Sequence, residues 1–113
     1  MNDISMLEGT ACAITVCDVN GKILYMNKKA CTTFADDGGA ALIGKNLFDC
    51  HSEASKVKLL EMIRNGRTNA YTIEKNGVKK VIYQTPWYDN NIPGGLIEFS
   101  FEIPFDLPHF IRD

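Results

Sequence analysis

The sequence predicts an α+β fold: one five-stranded antiparallel sheet with short helices and one longer helix covering one face. Three observations carry this. Two β-rich stretches are each broken by Asn-Gly, at Asn20-Gly21 and Asn76-Gly77. A single well-bounded amphipathic segment lies between them, and "GLIEFSFEI" near the end alternates strictly between apolar and polar residues. Asn-Gly supplies the positive backbone dihedrals of a tight hairpin turn, strict alternation marks a strand with two unlike faces, and an apolar stripe at helical spacing marks a surface helix.

In chain order, "ACAITVCDVNGKILYMN" is a hairpin, with Ile14 and Val16 before the turn and Ile23 and Tyr25 after it. "NKKACTTFADD" makes a short helix starting near Asn27. Gly38, Gly39 and Gly44 punctuate the next stretch too often for a long helix. Ser52 then caps "SEASKVKLLEMIRNG", which has Glu53 in the first turn, gathers Val57, Leu59, Leu60 and Ile63 on one side, and stops at Asn65-Gly66. "NAYTIEKNGVKKVIYQTPWY" is a second hairpin, "DNNIPGG" a longer turn-rich connection, and "GLIEFSFEI" the last strand. Ile97, Phe99, Phe101 and Ile103 share one of its faces, and Glu98, Ser100 and Glu102 the other. Pro104 and Pro108 prevent further strand. The chain of 113 residues is thus a single domain spanning 1–113, with a core over about 8–103, an N-terminal flank 1–7 and a C-terminal tail 104–113.

Composition narrows the function. Hydrophobic residues at 45% and charged residues at 23% are those of a folded globular protein. Twelve Lys and Arg against 14 Asp and Glu leave a formal charge of -2, so no broad positive field exists to hold a phosphate backbone, and direct nucleic-acid binding is not expected. No apolar run approaches the roughly 20 residues that span a bilayer. The opening "MNDISMLEGT" lacks a signal-peptide pattern. Cys12, Cys17, Cys31 and Cys50 show no CxxC spacing, which argues against a structural zinc site and for free thiols in a reducing cytoplasm.

These elements in this order resemble a PAS domain over residues 8 to 103. The resemblance rests on "ITVCDVNGKILYMNKKACTTF", on "LIGKNLFDCH" before the longer helix, and on the three-strand run ending in "GLIEFSFEI". Asp18, Asn20, Gly21, Ile23, Asn27, Ala30, Phe34, Leu42, Gly44 and Lys45 fall where the family pattern has their residue types. The Cys50-His51 pair is similar to that of a bacterial subgroup at this junction, although Ser52 and Glu53 stand where the subgroup has prolines. The resemblance implies a non-catalytic sensory or signalling module that binds a small molecule in its interior or associates with itself or a signalling protein. Stand-alone action in trans and origin as a piece of a larger regulator are both compatible with it.

Against that background, candidate chemistry is sparse. No catalytic residue and no metal ligand set is assigned. The alternative class is a haem or redox sensor using His51 and Cys50, the first as iron ligand and the second as a soft ligand or a thiol activated at a helix start. Flavin adduct chemistry is disfavoured, because Leu47 stands where light-sensing relatives carry their reactive cysteine and Cys50 falls three positions later. A small enzyme of unrelated chemistry ranks last. The expected ligand pocket draws on Asn27, Phe34, Phe48, Tyr71, Tyr83 and Phe99, with Thr72, Gln84 and Ser100 as further polar groups whose direction depends on strand register. A homodimer is expected through the exposed sheet face, with Ile82, Tyr88 and Leu96 there and Met6 and Leu7 in the flank.

Overall fold

The computed structural model describes residues 4–50 and 52–113. A short helix α1 (Ser5–Glu8) precedes strands β1 (Ala13–Asp18) and β2 (Ile23–Met26). Helix α2 (Lys28–Thr33) follows, then three single 3-10 turns, Ala35–Asp37, Gly39–Leu42 and Leu47–Cys50. Helix α3 (Glu53–Asn65) leads into β3 (Asn69–Lys75), β4 (Val78–Asp89) and β5 (Ile92–Ile103). All neighbours in the sheet are antiparallel, in the order β2-β1-β5-β4-β3, so β5 returns to the centre and joins the early hairpin to the late one.

The turns differ in kind. At Asn76-Gly77 both residues take positive φ, 54° and 78°, and the hairpin closes over two residues as the dipeptide predicts. At Asn20-Gly21 only Gly21 does, at 84°. Here the loop has three residues: Asp18 N–H donates to the Lys22 carbonyl, and the Asp18 carboxylate accepts from the N–H of Asn20 and of Lys22, both at 2.9 Å. That carboxylate rewards a wider turn than Asn-Gly alone requires. The segment read as a long connection, "DNNIPGG", is mostly strand. Asn90 and Asn91 both adopt left-handed φ, 52° and 66°, making a two-residue turn, and β5 starts at Ile92.

Helix α3 is capped as its sequence indicates. The Ser52 hydroxyl accepts from Ser55 N–H at 3.2 Å, and Gly66, left-handed at φ 65°, sends its N–H to the Met62 carbonyl. Its buried stripe is Leu59, Met62 and Ile63, with Leu60 partly covered; Val57 is half exposed rather than part of the stripe. These side chains pack with Cys17, Phe48 and Leu96, while Ala13, Ile23, Met26 and Ala30 form the second half of the core under α2.

Asn27 joins the halves. It is fully buried, and its side chain makes four hydrogen bonds: Oδ1 accepts from Ile14 N–H (3.0 Å) and Ala30 N–H (2.9 Å), and Nδ2 donates to the carbonyls of Leu7 and Cys12 (both 2.8 Å). One residue thereby caps α2, secures the start of β1 and ties α1 to the sheet. The flank is helical over Ser5–Glu8 and docked at Leu7, an element for which the sequence carries no recognisable helix signal. A second tie on this side is the Tyr25 hydroxyl, which donates to the Glu8 carboxylate at 2.9 Å.

Candidate functional site

Register decides which side chains face the helices. Across β3, β4, β5, β1 and β2 the residues Asn69, Gln84, Glu98, Thr15 and Met26 stand in one row. The next row towards the early hairpin's turn holds Pro86, Leu96, Cys17 and Ile23. Because side chains alternate along a strand, both rows share the helix-facing side and the intervening residues share the other. Between these rows and the helical cap lies a cavity of about 180 Å³. Its roof comes from Phe34, Leu42, Leu47 and Leu59, and its floor from Cys17, Leu96, Thr15, Gln84 and Glu98.

The polar part of the floor is organised. Gln84 Nε2 donates to Glu98 Oε2 at 2.9 Å, and Gln84 Oε1 accepts from Asn69 Nδ2 at 3.2 Å, so the amide is held at both ends. Glu98 is the one charged residue among the described residues that line the cavity. Burial pushes the Cys17 thiol upward, and the carboxylates of Asp18 and Glu98 add to the rise. The same effects, burial first and Glu98 second, raise the Tyr71 phenol. Cys17 is therefore a neutral apolar wall rather than a reactive thiol.

A close backbone approach fixes the sheet one row beyond Leu96 and Cys17. Trp87 Nε1–H donates to the Cys17 carbonyl at 3.0 Å, bridging β4 to β1 across β5. β5 can pass between them because residue 95 is glycine: its φ is 149°, and a side chain there would collide with the Cys17 carbonyl.

The residues expected in a pocket are distributed unevenly. Phe34 lines the cavity, and Phe48 lies beside it in the buried core. Asn27 uses all four of its hydrogen-bonding positions within the fold and presents none to the cavity. Tyr71 borders a shallower groove with Ser55 and Lys58, separated from the cavity by Leu59 and Gln84. Tyr83 and Phe99 pair with each other, ring centroids 6.4 Å apart, and their register puts them on the opposite face of the sheet. Of the further polar groups, Gln84 and Ser100 face inward and Thr72 outward. Ile82 and Leu96, expected on the exposed face, are buried on the inner one, while Tyr88 is exposed. Cys50 closes the third 3-10 turn, but its side chain and all of His51 lie outside the described residues. Among the described residues no group of three or more His, Cys, Asp or Glu is placed to hold a metal ion.

Glu98, Thr15, Leu96, Leu42, Leu47 and Leu59 line the cavity although none of them was among the residues expected in a pocket. The alternation in "GLIEFSFEI" already put Leu96 and Glu98 on one face; which face the helices cover is what the sequence left open.

An antiparallel sheet capped by helices over a small, mostly apolar cavity is an α+β architecture with room for a small molecule. The family model for the PAS fold matches residues 5–77, more than half of the chain, and the chain belongs to that family. No curated protein matches the sequence. Solved structures do. A C-terminal domain from Streptococcus mutans aligns with a TM-score of 0.70 at 21% identity, covering 86% of this chain and 79% of that one. The Aer2 receptor from Vibrio cholerae, described as a dual PAS-heme oxygen sensor, aligns at 0.62 and 18%, covering 87% and 99%. VqmA bound to DPO aligns at 0.70 and 17%, with 90% of this chain covering 56% of that one. At these identities the likeness concerns the fold. PAS domains are non-catalytic sensory modules, and a sensory or signalling role in the broad sense is the family's. Among the described residues no helix is long and apolar enough to cross a membrane.

Proposed function

We propose that this domain senses a small molecule held in the cavity between sheet and cap, and passes the change to a second copy of itself or a signalling partner in the cytoplasm. The observation that carries the reading is the cavity: about 180 Å³, walled mainly by apolar side chains, with an ordered polar group at one end. A cavity of about 150 Å³ lined by apolar side chains takes up benzene, so a ring-sized molecule is accommodated without moving the cap. The route outward is the sheet itself. Its other face carries the exposed Tyr83 and Phe101 and the partly buried Val81 and Phe99, an apolar patch that suits a protein contact. Ligand contact with β5 on one face and partner contact with β5 on the other would link the two events through one strand.

Haem or thiol-based sensing through His51 and Cys50 is the second reading, supported by the likeness to the Aer2 receptor. A porphyrin is several times larger than benzene and would require the cap to lift from this cavity, so the small-molecule reading is preferred. A fragment screen by saturation-transfer NMR tests it. Hits are expected to compete with one another and to be lost in Leu96→Phe, which pushes a ring into the cavity from the central strand. Hits that bind this variant equally well, once circular dichroism shows that it is folded, would refute the proposal. A Soret band in freshly purified protein that disappears in His51→Ala would favour haem.

A further inference from the structure

The ligand chemistry can be taken further, on the reading that the cavity is the binding site. Glu98 sits in the middle of the central strand and faces a predominantly apolar hollow. Gln84 satisfies one of its oxygens. A carboxylate has about four acceptor positions, so one amide leaves most of them open. No lysine or arginine lines the cavity among the described residues to neutralise it. Glu98 is partly buried, and a charge held against apolar surface gains from being paired and hydrogen-bonded. Gln84 cannot turn to offer more, because Asn69 holds its other end. Thr15, directly across the β1–β5 register from Glu98, adds a hydroxyl at the same level.

From this arrangement we infer that the domain selects a ring-sized ligand carrying an amine or comparable N–H donor, with the donor on Glu98 and the apolar body against Phe34, Leu42, Leu47 and Leu96. Anionic ligands of the same size are repelled by Glu98, and purely apolar ones leave the carboxylate unpaired.

Three probes of nearly equal shape test the inference: benzylamine, toluene and benzoate, titrated into the full chain and followed by ¹⁵N chemical shifts. On wild type, benzylamine is expected to bind at least about tenfold more tightly than either of the others, the scale of one charge-assisted hydrogen bond. Glu98→Gln, which keeps the size and an oxygen acceptor for Gln84, is expected to remove that preference by weakening benzylamine and strengthening toluene. Toluene binding as tightly as benzylamine, with both lost in Leu96→Phe, would overturn the donor selection and leave the cavity reading standing. No binding of any probe to wild type, or binding that Leu96→Phe does not alter, would overturn both. Should Glu98→Gln fail to fold, the ranking on wild type decides alone.

Discussion

Replacing Asn27 by alanine removes a side chain that is wholly enclosed and bonded to four backbone groups from three parts of the chain. The magnitude follows from those partners. Loss of the cap on α2 costs about 1 kcal/mol. The Ile14 N–H is buried and has no water to turn to, which adds about 1–3 kcal/mol for an unsatisfied donor. The carbonyls of Leu7 and Cys12 are partly accessible, so solvent recovers much of their loss and together they add roughly 1 kcal/mol. The total is about 3–5 kcal/mol, a large share of the 5–15 kcal/mol that holds an ordinary domain together. With a urea m-value of about 1.5 kcal/mol/M, a loss of about 4 kcal/mol lowers the unfolding midpoint by roughly 2.5 M. Thr32→Ala, at an exposed position of the same helix, serves as the control and should move the midpoint little. Equilibrium urea unfolding followed by Trp87 fluorescence makes the comparison. An Asn27→Ala midpoint within about 0.5 M of wild type would refute the view that this side chain joins the flank, sheet and first long-range helix contact, since that shift corresponds to under about 1 kcal/mol.

Two further outcomes are expected. Gly95→Ala forces a side chain into the Cys17 carbonyl at a backbone angle that glycine alone adopts readily, and should cost about 3 kcal/mol or more or prevent soluble folding; a melting temperature within a few degrees of wild type would contradict it. Tyr25 is pushed from 10.0 up to about 12 by burial, then by its hydrogen bond to Glu8 and the charge there. The folded state thus keeps a proton that the unfolded chain releases, so the contribution is complete below pH 10 and is lost as the pH climbs towards 12. Tyr25→Phe should therefore differ most from wild type at pH 9 and converge with it by pH 12 in thermal melts; a gap that persists unchanged would show that the hydroxyl's proton is not involved.

Local chemistry accounts for much of the fold. Ser52 and Gly66 bound α3 because a hydroxyl and a left-handed glycine satisfy the free backbone groups at its two ends. Asn27 opens α2 by the same logic. Asn76-Gly77 closes its hairpin with the two dihedrals that this dipeptide favours. The Asp18 carboxylate, two residues before Asn20, widens the other hairpin turn, an effect that the Asn-Gly dipeptide alone does not contain. Asn90-Asn91 turned the chain sooner than expected, leaving Pro93, Gly94 and Gly95 inside β5.

Those are matters of a few neighbouring residues, and the sequence by itself determines them: element order, strand alternation, caps and the antiparallel, helix-covered class. The choice of face belongs to the tertiary structure. Alternation in β5 offers an aromatic side with Phe99 and Phe101 and a mixed side with Leu96, Glu98 and Ser100, and both are consistent with a strand. The helices cover the mixed side. β5 lies in the centre of the sheet, so its facing is fixed by two neighbours, β1 about 80 positions before it and β4 across the Asn90-Asn91 turn, through registers such as Cys17 with Leu96 and Pro86 with Leu96. A shift of one residue in either would exchange the sides. That single long-range alignment put a carboxylate in the cavity and sent Tyr83 and Phe99 to the outer surface, and no local signal encodes it.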